Sequence, residues 1–164
     1  MNRVAPRGEV LHREVEELIH AYVQCIDDDE LEKWPDFFTE KCLYKIIPRE
    51  NVEAGLPSAA VFCDSRAMLV DRIVALRNAN IYPSQWLRHL VSNTRILDID
   101  ARAGITAQTN YAVFQTRNDG SSHVFSVGKY RDLIVRDDGG QLKFKQRVVT
   151  YDTHRIETLM VIPI

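Results

Sequence analysis

The chain has 164 residues, 45% of them hydrophobic and 27% charged, with a formal net charge of -2 at pH 7. That length favours one domain, residues 1 to 164, with a core that needs no staples. The near-neutral balance and the lack of a long Lys/Arg run give no reason to expect a nucleic-acid partner. No apolar stretch approaches the roughly 20 residues needed to cross a bilayer, and MNRVAPRGEV has no apolar signal core, so the expectation is a cytoplasmic protein with no membrane partner.

Residues 1 to 8, with Pro6 and Gly8, read as a loose arm. A helix is expected from about Glu9, because Val15, Leu18, Ile19, Tyr22, Val23 and Ile26 recur at helical spacing. The acidic triplet Asp27-Asp28-Asp29 ends it, and Asp28 or Asp29 is placed to cap a short second helix, ELEKWPDFF. CLYKII follows as a strand with Cys42, Tyr44 and Ile46 on one face. Residues 48 to 63, with Pro48, Gly55 and Pro57, read as loop. Asp64 or Ser65 then caps a third helix to about Asn80, whose buried side is expected to be Ala67, Val70, Ile73, Val74 and Leu76.

Beyond Trp86 the pattern changes to strands: Leu90 to Ile99, Ile105 to Arg117, Ser122 to Arg136, and Gln141 to Asp152. Asp119-Gly120 and Asp137-Asp138-Gly139-Gly140 mark two hairpin turns. The fourth strand is expected to show Leu142, Phe144 and Val148 on one face. Helices first and a meandering antiparallel sheet last make an α+β order, in which a curved sheet wraps the helices.

Chemistry-bearing residues are sparse. Cys25, Cys42 and Cys63 are widely spaced and read as buried free thiols. His12, His20, His89, His123 and His154 form no H-x3-H or H-E-x-x-H set, and no nucleotide-binding glycine loop or G-x-S-x-G is present. The set with most claim to acid–base work inside a cone is Asp28, Tyr44, His89 and Tyr111, suited to proton abstraction or dehydration. The plainer account of the same residues is two core aromatics and a helix cap. Arg88, Arg95, Arg131, Arg136 and Arg147 lie on or beside strands. Alternation puts Arg131 and Asp132 on opposite faces, and likewise Arg147 and Asp152, with cross-strand pairs among them.

WPDFFTEKCLYKI at 34 to 46, MLVDRIVALR at 68 to 77, WLRHLVSNTRI at 86 to 96, GKYRDLIVR at 128 to 136 and QRVVTYD at 146 to 152 together carry a resemblance. In that order they are similar to the small (β) subunit of bacterial aromatic-ring-hydroxylating dioxygenases, the Rieske non-haem iron oxygenases. The resemblance implies a nuclear-transport-factor-like cone and a mainly structural subunit in an enzyme that adds O2 to an aromatic ring. It implies a large (α) subunit as partner, carrying a Rieske [2Fe-2S] cluster and a mononuclear iron, and electrons from NAD(P)H through a reductase. Association as a trimer is expected, with Leu159, Val161 and Ile162 adding apolar contact. Many relatives place Arg-Thr where this chain has Arg88-His89, an arrangement resembling members that act on benzoate, anthranilate, salicylate or terephthalate. No catalytic, cofactor-binding or metal residue is then expected in this chain. Arg88, Arg95, Arg131, Asp132, Arg147 and Asp152 become structural or interface residues. The alternatives are a free-standing dehydratase or isomerase using the cone, and a binding module with an occupied cone.

Overall fold

Val15, Ile19, Tyr22, Val23 and Ile26 recur every three or four residues, and they bury one side of the first helix, α1 (Arg7–Asp27). The computed structural model describes residues 7–79, 85–152, 160 and 162–164. The helix stops where Asp29 turns left-handed, at φ 57°, a conformation that Asp tolerates better than most residues. Asp28 and Asp29 do not cap the next element, a 3₁₀ turn at Trp34–Phe37 whose cap position is Lys33. Asp29 instead receives Arg77, whose Nη1 lies 3.0 and 2.9 Å from its two carboxylate oxygens, while Arg77 Nε reaches Glu32 at 2.7 Å.

Strand β1 (Phe38–Pro48) buries Cys42, Tyr44 and Ile46 as alternation requires. The stretch read as loop holds two short elements, α2 (Arg49–Glu53) and β2 (Val61–Cys63). β2 pairs antiparallel with β1, which is how a three-residue strand survives among turn-forming residues. Helix α3 (Arg66–Ala79) starts after Ser65, whose Oγ accepts from the Met68 N–H at 3.4 Å. Its buried stripe is Leu69, Ile73 and Leu76, whereas Ala67, Val70 and Val74 face outward. Both stripes have helical spacing, and contact with β1 and β2 decides between them.

Four long strands complete the sheet: β3 (Gln85–Asp100), β4 (Gly104–Arg117), β5 (Ser122–Arg136) and β6 (Leu142–Tyr151). The order is β2-β1-β6-β5-β4-β3, antiparallel throughout except for the parallel β1–β6 pair. Helix α1 packs on β3 and β6, giving the cone-like α+β fold. Both hairpins follow their turn chemistry: Gly120 and Gly140 take φ 84° and 81°. Gly128 meets a different demand, because a Cβ there would lie 2.0 Å from the Thr150 carbonyl oxygen on β6.

One irregularity changes the inner face. Leu133 pairs with Gln146 but Ile134 pairs with Phe144, so Lys145 is an extra residue on β6. Phase flips there. Arg147 and Val149 turn inward beside Phe144, and Val148 turns outward, contrary to the alternation expected from Leu142 and Phe144. His154, Leu159 and Val161 lie outside the described residues, and Ile162 packs partly buried against the core rather than presenting a free apolar end.

Candidate functional site

The bulge at Lys145 carries a guanidinium into the core. Arg147 is fully buried, with Nε and Nη2 donating to Asp132 at 2.8 and 2.7 Å. The two residues are directly opposed in the β5–β6 ladder. The guanidinium carbon sits 4.1, 4.2 and 3.9 Å from the ring centres of Tyr22, Tyr130 and Phe144, so its faces are shielded by aromatic surface. Burial opposes both charges and raises the Asp132 carboxyl above its ordinary range. For Arg147 burial is outweighed by Asp132, which holds the guanidinium protonated. The pair links two adjacent strands through two charge-assisted hydrogen bonds.

A second buried pair joins α1 to β3. Asp27 Oδ1 lies 2.6 Å from His89 Nδ1, and Oδ2 accepts from the His89 backbone N–H at 2.8 Å. Their side chains are 1% and 0% exposed. An ionised carboxylate only accepts, so the proton of this contact sits on Nδ1. Nε2 is buried without a hydrogen-bond partner. The carboxylate expected beside His89 was Asp28; the structure puts Asp27 there. Asp28 is 58% exposed and faces Arg88 at 3.9 Å. Helical phase explains the exchange, since Asp27 follows Val23 by four residues on the buried stripe and Asp28 does not. Counting the stripe one turn further would have found it.

The other two members of the expected set are committed elsewhere. Tyr44 Oη donates to the Ile164 carbonyl at 2.9 Å, and Tyr111 Oη lies 3.0 Å from Ser126 Oγ. Burial raises both phenols well above their usual value, so they remain protonated. No hydrogen bond joins any two of Asp28, Tyr44, His89 and Tyr111 among the described contacts. Two surface clefts, of about 520 and 530 Å3, are lined by none of the four.

The outer face of the sheet has a different character. Trp86 and Leu90 on β3 are 56% and 58% exposed, and Val124 and Val127 on β5 are also exposed. Leu90 pairs with Ala112, which pairs with Val127, so one apolar row crosses three strands; Val124 sits in the next row with Phe114 and Arg88, and Trp86 in the row beyond. Further along, Arg95 and Arg131 flank Gln108 in one row. Arg88 stands 60% exposed, 4.0 Å from Asp27. Asp152 meets Arg49 at 2.9 Å just beyond the ends of β6 and β1, a pair that the sequence reading had not identified.

Metal and thiol chemistry find little support. Among the described residues no group of three or more His, Cys, Asp or Glu is disposed to hold a metal. Cys25, Cys42 and Cys63 are free and buried, and burial pushes the first two thiols up to about 11. A Rieske cluster needs two thiolates and two imidazoles together, and these residues do not provide that set.

A family model described as the ring hydroxylating beta subunit matches residues 21–158. The chain is 45% identical over 152 residues to the anthranilate 1,2-dioxygenase small subunit of Burkholderia cepacia, covering 92% of each. It is 37% identical over 144 residues to the terephthalate 1,2-dioxygenase terminal oxygenase subunit beta 1 of a Comamonas species, covering 88% of this chain and 92% of that one. A crystal structure from Novosphingobium aromaticivorans, assigned as the beta subunit of an aromatic-ring-hydroxylating dioxygenase, superposes with a TM-score of 0.87. It shares 42% identity and covers 97% of this chain and 100% of its own.

Proposed function

Because the chain belongs to the family of ring-hydroxylating beta subunits, we propose that it serves as the small, structural subunit of a dioxygenase that adds O2 to the ring of an aromatic carboxylate. Its homologues are subunits of oxidoreductases, and the small subunit is not itself catalytic. The relatives named for anthranilate and terephthalate both take ring acids, which supports a substrate of that class.

A large subunit partner follows from membership of a multicomponent enzyme. We assign the Rieske [2Fe-2S] cluster and the mononuclear iron to it, with a reductase supplying electrons from NAD(P)H and the whole system in the cytoplasm. No helix among the described residues is long and apolar enough to cross a membrane. The small chains associate as a trimer beneath the large subunits. The observation that carries this reading is the exposed apolar surface of Trp86, Leu90, Val124 and Val127 on an otherwise well-packed sheet. Contiguous apolar surface of this kind marks a protein contact more often than a solvated face.

Co-expression with its large subunit tests the assignment. The expected result is a stable complex whose mass by light scattering corresponds to three of each chain, with iron in the complex and oxygen uptake on benzoate-like acids. A small chain that stays monomeric and does not co-purify would overturn the structural role. Oxygen uptake confined to uncharged aromatics would overturn the substrate class alone.

A further inference from the structure

We propose that the core end of the cone is a binding socket for an apolar group carrying a carbonyl oxygen, and that residues 162–164 of this chain occupy it in cis. The inference is independent of the oxygenase reading. Ile164 is 0% exposed and Pro163 is buried, so this short segment lies inside the fold rather than on it. Its backbone is held by two tyrosines from different elements. Tyr22 on α1 donates to the Ile164 carbonyl at 3.1 Å and Tyr44 on β1 donates to the same oxygen at 2.9 Å. The Ile164 N–H in turn donates to the Tyr44 hydroxyl at 3.1 Å.

The Trp34 indole and the Arg147 guanidinium both interact with the Tyr22 hydroxyl, so the oxygen that meets the occupant is backed by further polar groups. Trp34 also packs edge-on against Tyr44, with ring centres 5.0 Å apart, and forms an apolar wall. Two hydroxyl donors converging on one oxygen, polar groups behind them and aromatic walls are the ingredients of a small-ligand pocket. Here the ligand is a piece of chain. Leaving the buried Tyr22 and Tyr44 hydroxyls without an acceptor would be costly, so an occupant with an acceptor oxygen is favoured over an empty or purely apolar filling.

The segment then acts as a latch between α1 and β1, and removing it makes the site available to a ligand in trans. The probe is the tripeptide Ile-Pro-Ile, added to a variant lacking residues 162–164 and followed by calorimetry and thermal melting. Saturable binding that restores the melting temperature is expected, and the same variant carrying Tyr44→Phe should bind at least about tenfold more weakly for the loss of the two hydrogen bonds that the hydroxyl makes with Ile164. A folded deletion variant that ignores the tripeptide, or binds it equally with Phe at position 44, would overturn the socket. Hydrogen exchange on the full chain decides the matter if the deletion variant does not fold. The Ile164 amide should be strongly protected, and Tyr44→Phe should speed its exchange at least tenfold more than that of amides in β4. Rapid exchange at Ile164 in the unaltered chain, or an equal effect on β4, refutes the latch.

Discussion

On the inner face of the sheet, Arg147 is fully buried, paired with Asp132 and enclosed by three aromatic rings. On the outer face, Arg131 precedes Asp132 by one residue in β5 and stands exposed, with Arg95 two strands away across Gln108. Neighbouring residues on one strand thus serve different purposes. The inner arginine joins β5 to β6 through an ion pair whose two members are both buried. The outer arginines share the solvent side of the sheet with the exposed Leu90 and Val127, with a polar row of Ser92, Asn110 and Lys129 between them. A pleat separates them, and the surroundings of each are decided by what the pleat faces.

Much of this was legible. The α1 stripe, the long strands and both glycine turns follow from periodicity and turn chemistry, as does the opposition of Arg131 and Asp132. What was not legible has a common cause, namely that local pattern fixes spacing but not phase. A single extra residue at Lys145 moved Val148 out and Arg147 in, and nothing in LKFKQRVVTY marks that bulge. Leu69 replaced Val70 and Val74 in the core because α3 carries two apolar stripes and only tertiary contact chooses one. Asp27 replaced Asp28 beside His89 for a one-residue difference in helical angle. β2 escaped notice because its three residues gain their order from β1 rather than from themselves. The candidate acid–base set meets the same limit: Tyr44, His89 and Tyr111 are buried, Asp28 is exposed, and their hydrogen bonds go to other residues.

The largest effect should come from breaking the inner pair. Asp132→Ala leaves the Arg147 charge buried and unpaired, which typically costs about 3–5 kcal/mol. Urea unfolding of the isolated chain measures it. Asp132→Leu combined with Arg147→Met removes both charges and should recover most of that loss, because well-packed apolar replacements of buried pairs are often neutral. A double variant as unstable as the single one would show that the aromatic enclosure of Arg147, rather than the pair, holds the strands.

Gly128→Ala tests the same ladder sterically. An added Cβ would meet the Thr150 carbonyl at 2.0 Å, so β5 and β6 must part locally. The expected loss is about 3 kcal/mol, the upper end of ordinary overpacking. A melting curve that overlays the unaltered protein would mean that the strands yield there at little cost.

His89→Gln should cost less, about 1–3 kcal/mol, since Asp27 loses a buried partner but retains the backbone N–H of residue 89. Once assembled with the large subunit, the variant should turn over within a few-fold of the unaltered enzyme. General acid–base catalysis contributes about 10²–10⁴-fold. A thousand-fold loss of turnover in a correctly assembled complex would therefore make the Asp27–His89 pair catalytic and not structural.

The smallest effect on folding, and the most selective, belongs to the outer face. Leu90→Asp replaces a residue that is 58% exposed, and exposed substitutions usually stay within about 0.5 kcal/mol. If Trp86, Leu90, Val124 and Val127 meet another chain, the same change buries a carboxylate in an apolar contact and should abolish association while the monomer melts normally. Arg131→Ala, two rows away on the same face, should weaken association only modestly and make it less sensitive to salt, because rim charges act more on encounter than on the bound state. The two variants divide the inner and outer roles: Asp132→Ala lowers stability and assembly together, whereas Leu90→Asp lowers assembly alone. An assembled, fully active complex built from Leu90→Asp chains would mean that the apolar outer face remains solvent-exposed in the enzyme. The contact would then have to lie elsewhere, with the outward Val70 and Val74 of α3 and the neighbouring Phe62 of β2 as the next surface to alter.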